Sequence, residues 1–196
     1  MALKTAPTDI GFAQITLSAM NAVATSESPF TYKQQVVQHT GQAWKASVTI
    51  PPVRRDLGEP WIAFLLSLQG PVHTFLLGDP NCTEPRGTAT NSSMTATGTA
   101  GDSSVTITIS DGTTLKAGDY IQLGTASTSK LHKVLADVSS TGAVDIWPNL
   151  KATYSGAAVT VDNAKGVFRL TSNVQEWEIG NSSTYGISFE AVEVIT

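Results

Sequence analysis

The chain has 196 residues, enough for one large domain or two small ones with a sizeable core, and only 14% of them are charged. Its net charge of −4, with Arg54-Arg55 as the sole adjacent basic pair, argues against a nucleic-acid binder, which normally carries a basic patch or stripe. A single cysteine, Cys82, excludes an internal disulfide and a cysteine-cluster metal site, and reads as an inert loop thiol.

Abundant Ser, Thr, Val and Gly suit a mainly β architecture with many turns. The opening residues, MALKTAPTDIGFAQ, lack the apolar stretch of a secretory signal, and no apolar run reaches transmembrane length. The expectation is a chain made in a cytoplasm, without membrane insertion, and exported only as part of a particle. Residues 18–29 (SAMNAVATSESP) are small and polar and read as a loop.

Two alternating runs follow, at residues 30–37 and 44–50, separated by His39-Thr40-Gly41. In the second, Trp44, Ala46, Val48 and Ile50 share one face and Lys45, Ser47 and Thr49 the other, a half-buried strand. The intervening residues predict a β-hairpin, and Pro51-Pro52, unable to donate ladder hydrogen bonds, predicts the strand end. A helix near residues 60–69 comes next, capped by Asp56 or Gly58, with Pro60 in its first turn. Trp61, Phe64, Leu65 and Leu68 fall at i, i+3, i+4 and i+7 on one face, and Ile62 and Leu66 widen it. Gly70-Pro71 ends the helix, and residues 72–77 read as a strand closed by Gly78-Asp79-Pro80.

From about residue 88 the composition turns small and polar, and the strand-like aromatic pattern returns only after Lys165. The reading is a discontinuous domain, 1–87 plus 165–196, interrupted by an inserted module at 88–164. Within the insert, strands are predicted at 105–109, 120–123, 130–138, 143–147 and 158–161. Turns at Asp111-Gly112, Gly118-Asp119, Thr141-Gly142 and Ser155-Gly156 separate them, the pattern of a small antiparallel barrel or sandwich. Strands at 167–171, 175–179 and 186–195 close the parent domain. In the last, apolar parity switches after Ala191, which predicts a bulge there or a change of buried face.

Candidate chemistry is sparse. His39, His73 and His132 lie in separate segments without ligand spacing, and His73 and His132 read as half-buried strand residues. Gly101-Asp102-Ser103 lacks the strand–helix context of a nucleophile elbow and reads as a turn. Glu176 and Glu178 flank Trp177 as a solvated strand face, and Asp79, Glu84 and Arg86 offer a loop ion pair at the domain junction. Asn-x-Ser/Thr triplets at Asn81, Asn91 and Asn181 read as accidents of a Ser/Thr-rich chain. No catalytic, cofactor or metal residues are assigned, and an enzyme is not expected.

A resemblance adds to this. Trp44 to Ile50-Pro51-Pro52, then Glu59-Pro60-Trp61-Ile62-Ala63-Phe64, then Phe75-Leu76-Leu77-Gly78-Asp79-Pro80 resemble the distal tail proteins of long-tailed, non-contractile bacteriophages and prophages. In the insert, Leu115-Lys116-Ala117-Gly118-Asp119-Tyr120-Ile121-Gln122-Leu123-Gly124, Leu131-His132-Lys133-Val134 and Asp145-Ile146-Trp147-Pro148 are similar to phage-encoded sequences, as is the closing Tyr185-Gly186-Ile187-Ser188-Phe189-Glu190-Ala191-Val192. The resemblance implies a tail-tube-like β-sandwich or barrel with one flanking helix. It implies a hexameric homo-oligomeric ring that joins the tail tube protein to tip or hub proteins and lets DNA pass without specific binding. Trp44, Trp61, Phe64, Leu65 and Leu68 are the candidate scaffold and assembly residues, with residues 18–29 as a loop that orders against a neighbouring subunit. The alternatives are a tail tube, terminator or head–tail joining subunit, or a host-glycan binder using Tyr120, Trp147 and Tyr154 of the insert.

Overall fold

A computed structural model describes residues 1–91, 94–109, 112–181 and 183–195. The fold is mainly β with one helix. A seven-stranded sheet takes its strands from both ends of the chain, and a closed six-stranded barrel is formed by the middle.

The sheet is built from β1 (Leu3–Lys4), β2 (Gln14–Glu27), β3 (Gln34–Arg54), β4 (Thr74–Leu77), β11 (Gly166–Leu170), β12 (Trp177–Ile179) and β13 (Thr184–Glu193). Its order is β1-β4-β11-β13-β3-β2, with β12 paired to β13 below β11. The barrel comprises β5 (Met94–Gly98), β6 (Ser104–Ile109), β7 (Tyr120–Leu123), β8 (Lys130–Val134), β9 (Gly142–Trp147) and β10 (Tyr154–Thr160), closed in the order β10-β5-β6-β9-β8-β7.

The period-two pattern of β3 is realised: Trp44, Ala46, Val48 and Ile50 are buried, while Ser47 and Thr49 face solvent. Helix α1 (Arg55–Ser67) covers that buried face. Trp61 packs edge-on against Phe12 and Phe64 at centroid distances of 5.9 and 5.8 Å. Phe75 meets Phe64 and Phe189 in the same manner, at 5.6 and 6.0 Å. Edge-to-face rings of this kind add to the stabilisation from burial alone. At Gly58 a Cβ would come 2.9 Å from the Tyr185 Cβ, so the missing side chain lets the helix lie close on β13.

Several expectations are corrected. No hairpin turn forms at His39-Thr40-Gly41: β3 runs on as one 21-residue strand, and the chain reverses at residues 28–33 instead. Residues 18–27 are not a loop but part of β2, paired along their length with β3. The His39–Gly41 irregularity survives as a bulge, three residues opposite the single residue Ala22. Pro51-Pro52 does not end β3, which continues to Arg54. By that point β2 has fallen away, since its pairing starts at Gln14↔Thr49, and the β13 register shifts between Tyr185 and Ile187. Prolines are tolerated where the ladder is one-sided and bulged.

The helix starts a turn earlier than residue 60, leaving Pro60 inside it. Pro60 and Asp56 are both exposed, so the carbonyl that loses its N–H partner faces solvent. The helix ends at Ser67 with Leu68 as its C-cap, followed by Gln69 and Gly70 at positive φ. β8 stops at Val134, and Val138 pairs in isolation with Leu115. Strand β5 was not expected, because Thr and Gly hide the short alternation of Met94 and Ala96. In β13 there is no bulge at Ala191: alternation continues, with Val192 half-buried and Glu193 buried. Asp111 of one predicted turn, and Ser92, Ser93 and Ser182 of the Asn-x-Ser triplets, lie outside the described residues.

The barrel leaves the sheet after β4 and rejoins it at β11, two strands that pair directly through Gly166↔Leu77. A Cβ at Gly78 would sit 2.2 Å from the Ala164 carbonyl oxygen, so the departing and returning chains pass in backbone contact. Among the described residues no helix is long and apolar enough to cross a membrane.

Trp61→Ala is expected to lower unfolding stability by about 3–5 kcal/mol, the range for removing a fully buried large aromatic. A urea titration followed by far-UV circular dichroism measures it, and a loss below about 1 kcal/mol would contradict the central packing role given to Trp61.

Candidate assembly surface

The five residues singled out for assembly are all core. Trp44, Trp61, Phe64, Leu65 and Leu68 are each buried within the single chain and touch one shared cluster. Trp61, Phe64, Leu65 and Leu68 hold the helix to the sheet, Trp44 joins the sheet to the barrel, and none of the five offers surface to a neighbour. On α1 the large apolar residues left exposed are Leu57 and Leu66.

The exposed apolar surface lies elsewhere. Beyond Asn21 and Gln42, the β2–β3 ribbon leaves the body, and residues 22–41 are exposed throughout apart from half-buried Ser28. Val23 and Val36 lie on one face, Ala24 and Val37 on the other, as their cross-strand pairings require. Phe30 and Tyr32 stand at the tip, 92% and 76% exposed. The tip is a defined turn: Ser28 donates its N–H to the Lys33 carbonyl and Tyr32 to the Ser28 carbonyl, with Tyr32 at φ 53°. A two-stranded ribbon is marginal in water by itself, so an arm wetted on both faces lacks the burial that normally stabilises such a pair.

The root of the arm is gripped by the barrel. Asn149 donates its N–H to the Gln42 Oε1 at 2.7 Å, and the Lys151 Nζ donates to the Gln42 carbonyl at 2.6 Å. The Trp147 indole N–H donates to the Asn21 Oδ1 at 2.9 Å, and the Trp44 indole N–H to the Leu131 carbonyl at 2.9 Å. Trp44 and Trp147 meet edge to face at 4.4 Å, with Tyr120 beside Trp44. Tyr120 is buried, and Trp147 and Tyr154 are half-buried, so none of the three aromatics expected to meet a glycan stands free.

Buried polar groups complete this junction. The Glu193 Oε2 accepts the Trp44 backbone N–H at 3.1 Å, and the Lys130 Nζ donates to the Val194 carbonyl at 2.5 Å. Burial raises the Glu193 carboxyl pKa, and the Trp44 N–H, Lys130 and Lys151 oppose that rise. His132, expected to be half-buried, is fully buried and paired through Nδ1 with the Pro148 carbonyl at 2.7 Å. Burial lowers its pKa to about 4, so the ring is neutral and Nδ1 donates.

Other candidates are structural. The Ala2 N–H donates to the His73 Nδ1, and Asp102 receives the Thr99 N–H in the turn that Gly101-Asp102-Ser103 was expected to form. The junction ion pair of Asp79 or Glu84 with Arg86 is not formed. Arg86 donates to the Ala117 carbonyl, and Asp79 accepts from the Asn81 N–H and the Cys82 thiol. Burial and Asp79 raise the Cys82 pKa, as suits an unreactive thiol. Among the described residues no three His, Cys, Asp or Glu cluster as metal ligands. The exposed arm was missed because its alternation is made of small and polar residues, though Phe30 and Tyr32 within a Ser-Pro turn were visible as a signal.

No protein-family model matches the chain, and no curated protein matches it significantly.

His132 titrates near 6.5 when unfolded and near 4 when folded. The unfolded chain therefore binds the extra proton first, and stability present above pH 6.5 is lost as pH falls toward 4, by roughly 3 kcal/mol in total. Glu193, shifted the opposite way, offsets part of this loss. His132→Gln is expected to flatten the decline in urea stability between pH 7 and pH 4.5. An unchanged slope would show that His132 does not carry it.

Proposed function

We propose that the chain is a structural subunit of a phage tail, forming a ring at the distal end of the tail tube. The ring joins the tube to the tip and receptor-binding apparatus, leaves a lumen for DNA, and has no catalytic role. The observation that carries this reading is the arm formed by residues 22–41, which is ordered as a strand pair yet exposed on both faces. Such an element belongs to an assembly, where a neighbour supplies the surface that one subunit lacks. The sequence resemblance supplies the identity of the assembly. The net charge of −4 is compatible with a lumen that does not hold the phosphate backbone.

The scaffold role of Trp44, Trp61, Phe64, Leu65 and Leu68 is indirect on this reading. They fix the sheet and helix from which the arm projects. The partners are further copies of the chain, the tail tube protein above and the tip or hub proteins below, at the distal position in a virion tail.

Negative-stain electron microscopy of the purified full chain is expected to show six-fold rings with an open lumen. Replacing residues 22–41 by an Asn-Gly turn is expected to abolish the rings while leaving the thermal midpoint nearly unchanged. Rings that persist without the arm would remove the observation on which the reading rests. A chain that stays monomeric, alone and in the presence of purified tail tubes, would count against the reading itself.

A further inference from the structure

We infer that the aromatic tip of the arm, Phe30 and Tyr32, seats in an apolar cleft at the far edge of a second copy of the same chain, an inference that rests on the ring reading above. The cleft lies between the first residues of the chain, the end of β4 and the chain returning from the barrel. It has a volume of about 530 Å³ and walls that include Pro7, Ile10, Leu76 and Pro80. That volume falls within the range of pockets that bury an aromatic ligand.

Three observations select a second copy as the occupant. The first is topological: the arm grows from β2 and β3 at one edge of the sheet, and the cleft opens beside β1 and β4 at the other. A contact between two different surfaces at opposite edges is head-to-tail, the kind that propagates in one direction and closes into a ring. The second is charge. Glu27 and Lys33 flank the tip, and Lys4, Lys165 and Asp79 stand around the cleft, so each charge on the arm finds an opposite one on the cleft. The third is the form of the tip. Its turn is fixed by two backbone hydrogen bonds, and Glu27 accepts from the Gln34 amide at 2.6 Å across the neck. Two aromatic side chains on a pre-formed turn are presented at low entropic cost, the usual make-up of an interface anchor.

The test uses the full chain in a Cys82→Ser background. With Phe30→Cys and Ile10→Cys together, mild oxidation is expected to give a ladder of covalent oligomers. Either cysteine alone, or Phe30→Cys with Ala143→Cys on the barrel, stops at a dimer. Without oxidation, Phe30→Ser with Tyr32→Ser is expected to weaken self-association by roughly 100-fold in sedimentation velocity, at unchanged circular dichroism. Rings that survive this double change, together with no ladder, overturn the inference and leave the ring reading standing. A wild-type chain that neither self-associates nor forms the ladder overturns both. If the double change leaves assembly intact but abolishes binding to vesicles of phosphatidylcholine and phosphatidylglycerol, the tip faces lipid and the inference also fails.

Discussion

The arrangement depends on the buried contact between Trp44 and the barrel. Trp44 lies on the inward face of β3, yet its indole donates across to the Leu131 carbonyl and its ring abuts Trp147. Its backbone N–H is taken by a carboxylate, Glu193, at the end of β13. One residue therefore closes the hydrogen bonding of the sheet, the packing of the barrel and the exit of the arm. The neighbouring Gln42 is held from two sides by Asn149 and Lys151, so the arm leaves the body at a fixed point and in a fixed direction. Loose joints between two β units are the ordinary expectation for small interfaces. Here a continuous apolar cluster runs from the sheet into Tyr120, Leu131 and Ala164 of the insert.

Burying charge at such a joint is costly unless hydrogen bonds replace the lost water. Lys130 and Lys151 meet that condition by donating to main-chain carbonyls of the other unit, Val194 and Gln42. Each lysine thus spends its charge on orientation. β8 explains why the barrel side accepts this: Leu131 packs into the sheet's cluster and Val134 into the barrel's, so the strand is buried on both sides. A strand of that kind reads in sequence as half-exposed because Lys and His are counted as surface residues.

The same limit set what was legible in the sequence. Strong periodicity was readable: the inward set of β3 and the face of α1 follow from spacing, because burial there is one-sided and apolar. The barrel strands around Ile107, Ile121 and Ile146 were readable for the same reason, each having turn residues at its ends. The errors came where a local rule met a tertiary exception. Pro51-Pro52 lies in a strand because the partner on that side has already departed, and Pro60 lies in a helix because its orphaned carbonyl is wet. Glu193 looked like the outward residue of a pair of valines, and the register of β13 turned it inward. Residues 18–29 read as a loop because nothing in their composition announces pairing. Their partner, residues 34–45, supplies the order. The clamp of Trp44 and Gln42 on the insert was out of reach of sequence, since its partners lie some hundred residues away and are main-chain groups, the Leu131 carbonyl and the Asn149 N–H.

The place of insertion has a further meaning. Because Leu77 and Gly166 are paired neighbours, the chain enters and quits the barrel one strand spacing apart, about 4.8 Å. To the sheet, the whole barrel is topologically a hairpin turn, and its size imposes no change of register on β4 or β11. Substitutions that reshape the barrel far from β7, β8 and β9 are thereby insulated from the sheet. The clamp at Gln42 and Trp44 conveys the barrel's position to the root of the ribbon, and what it conveys is the aim of the arm.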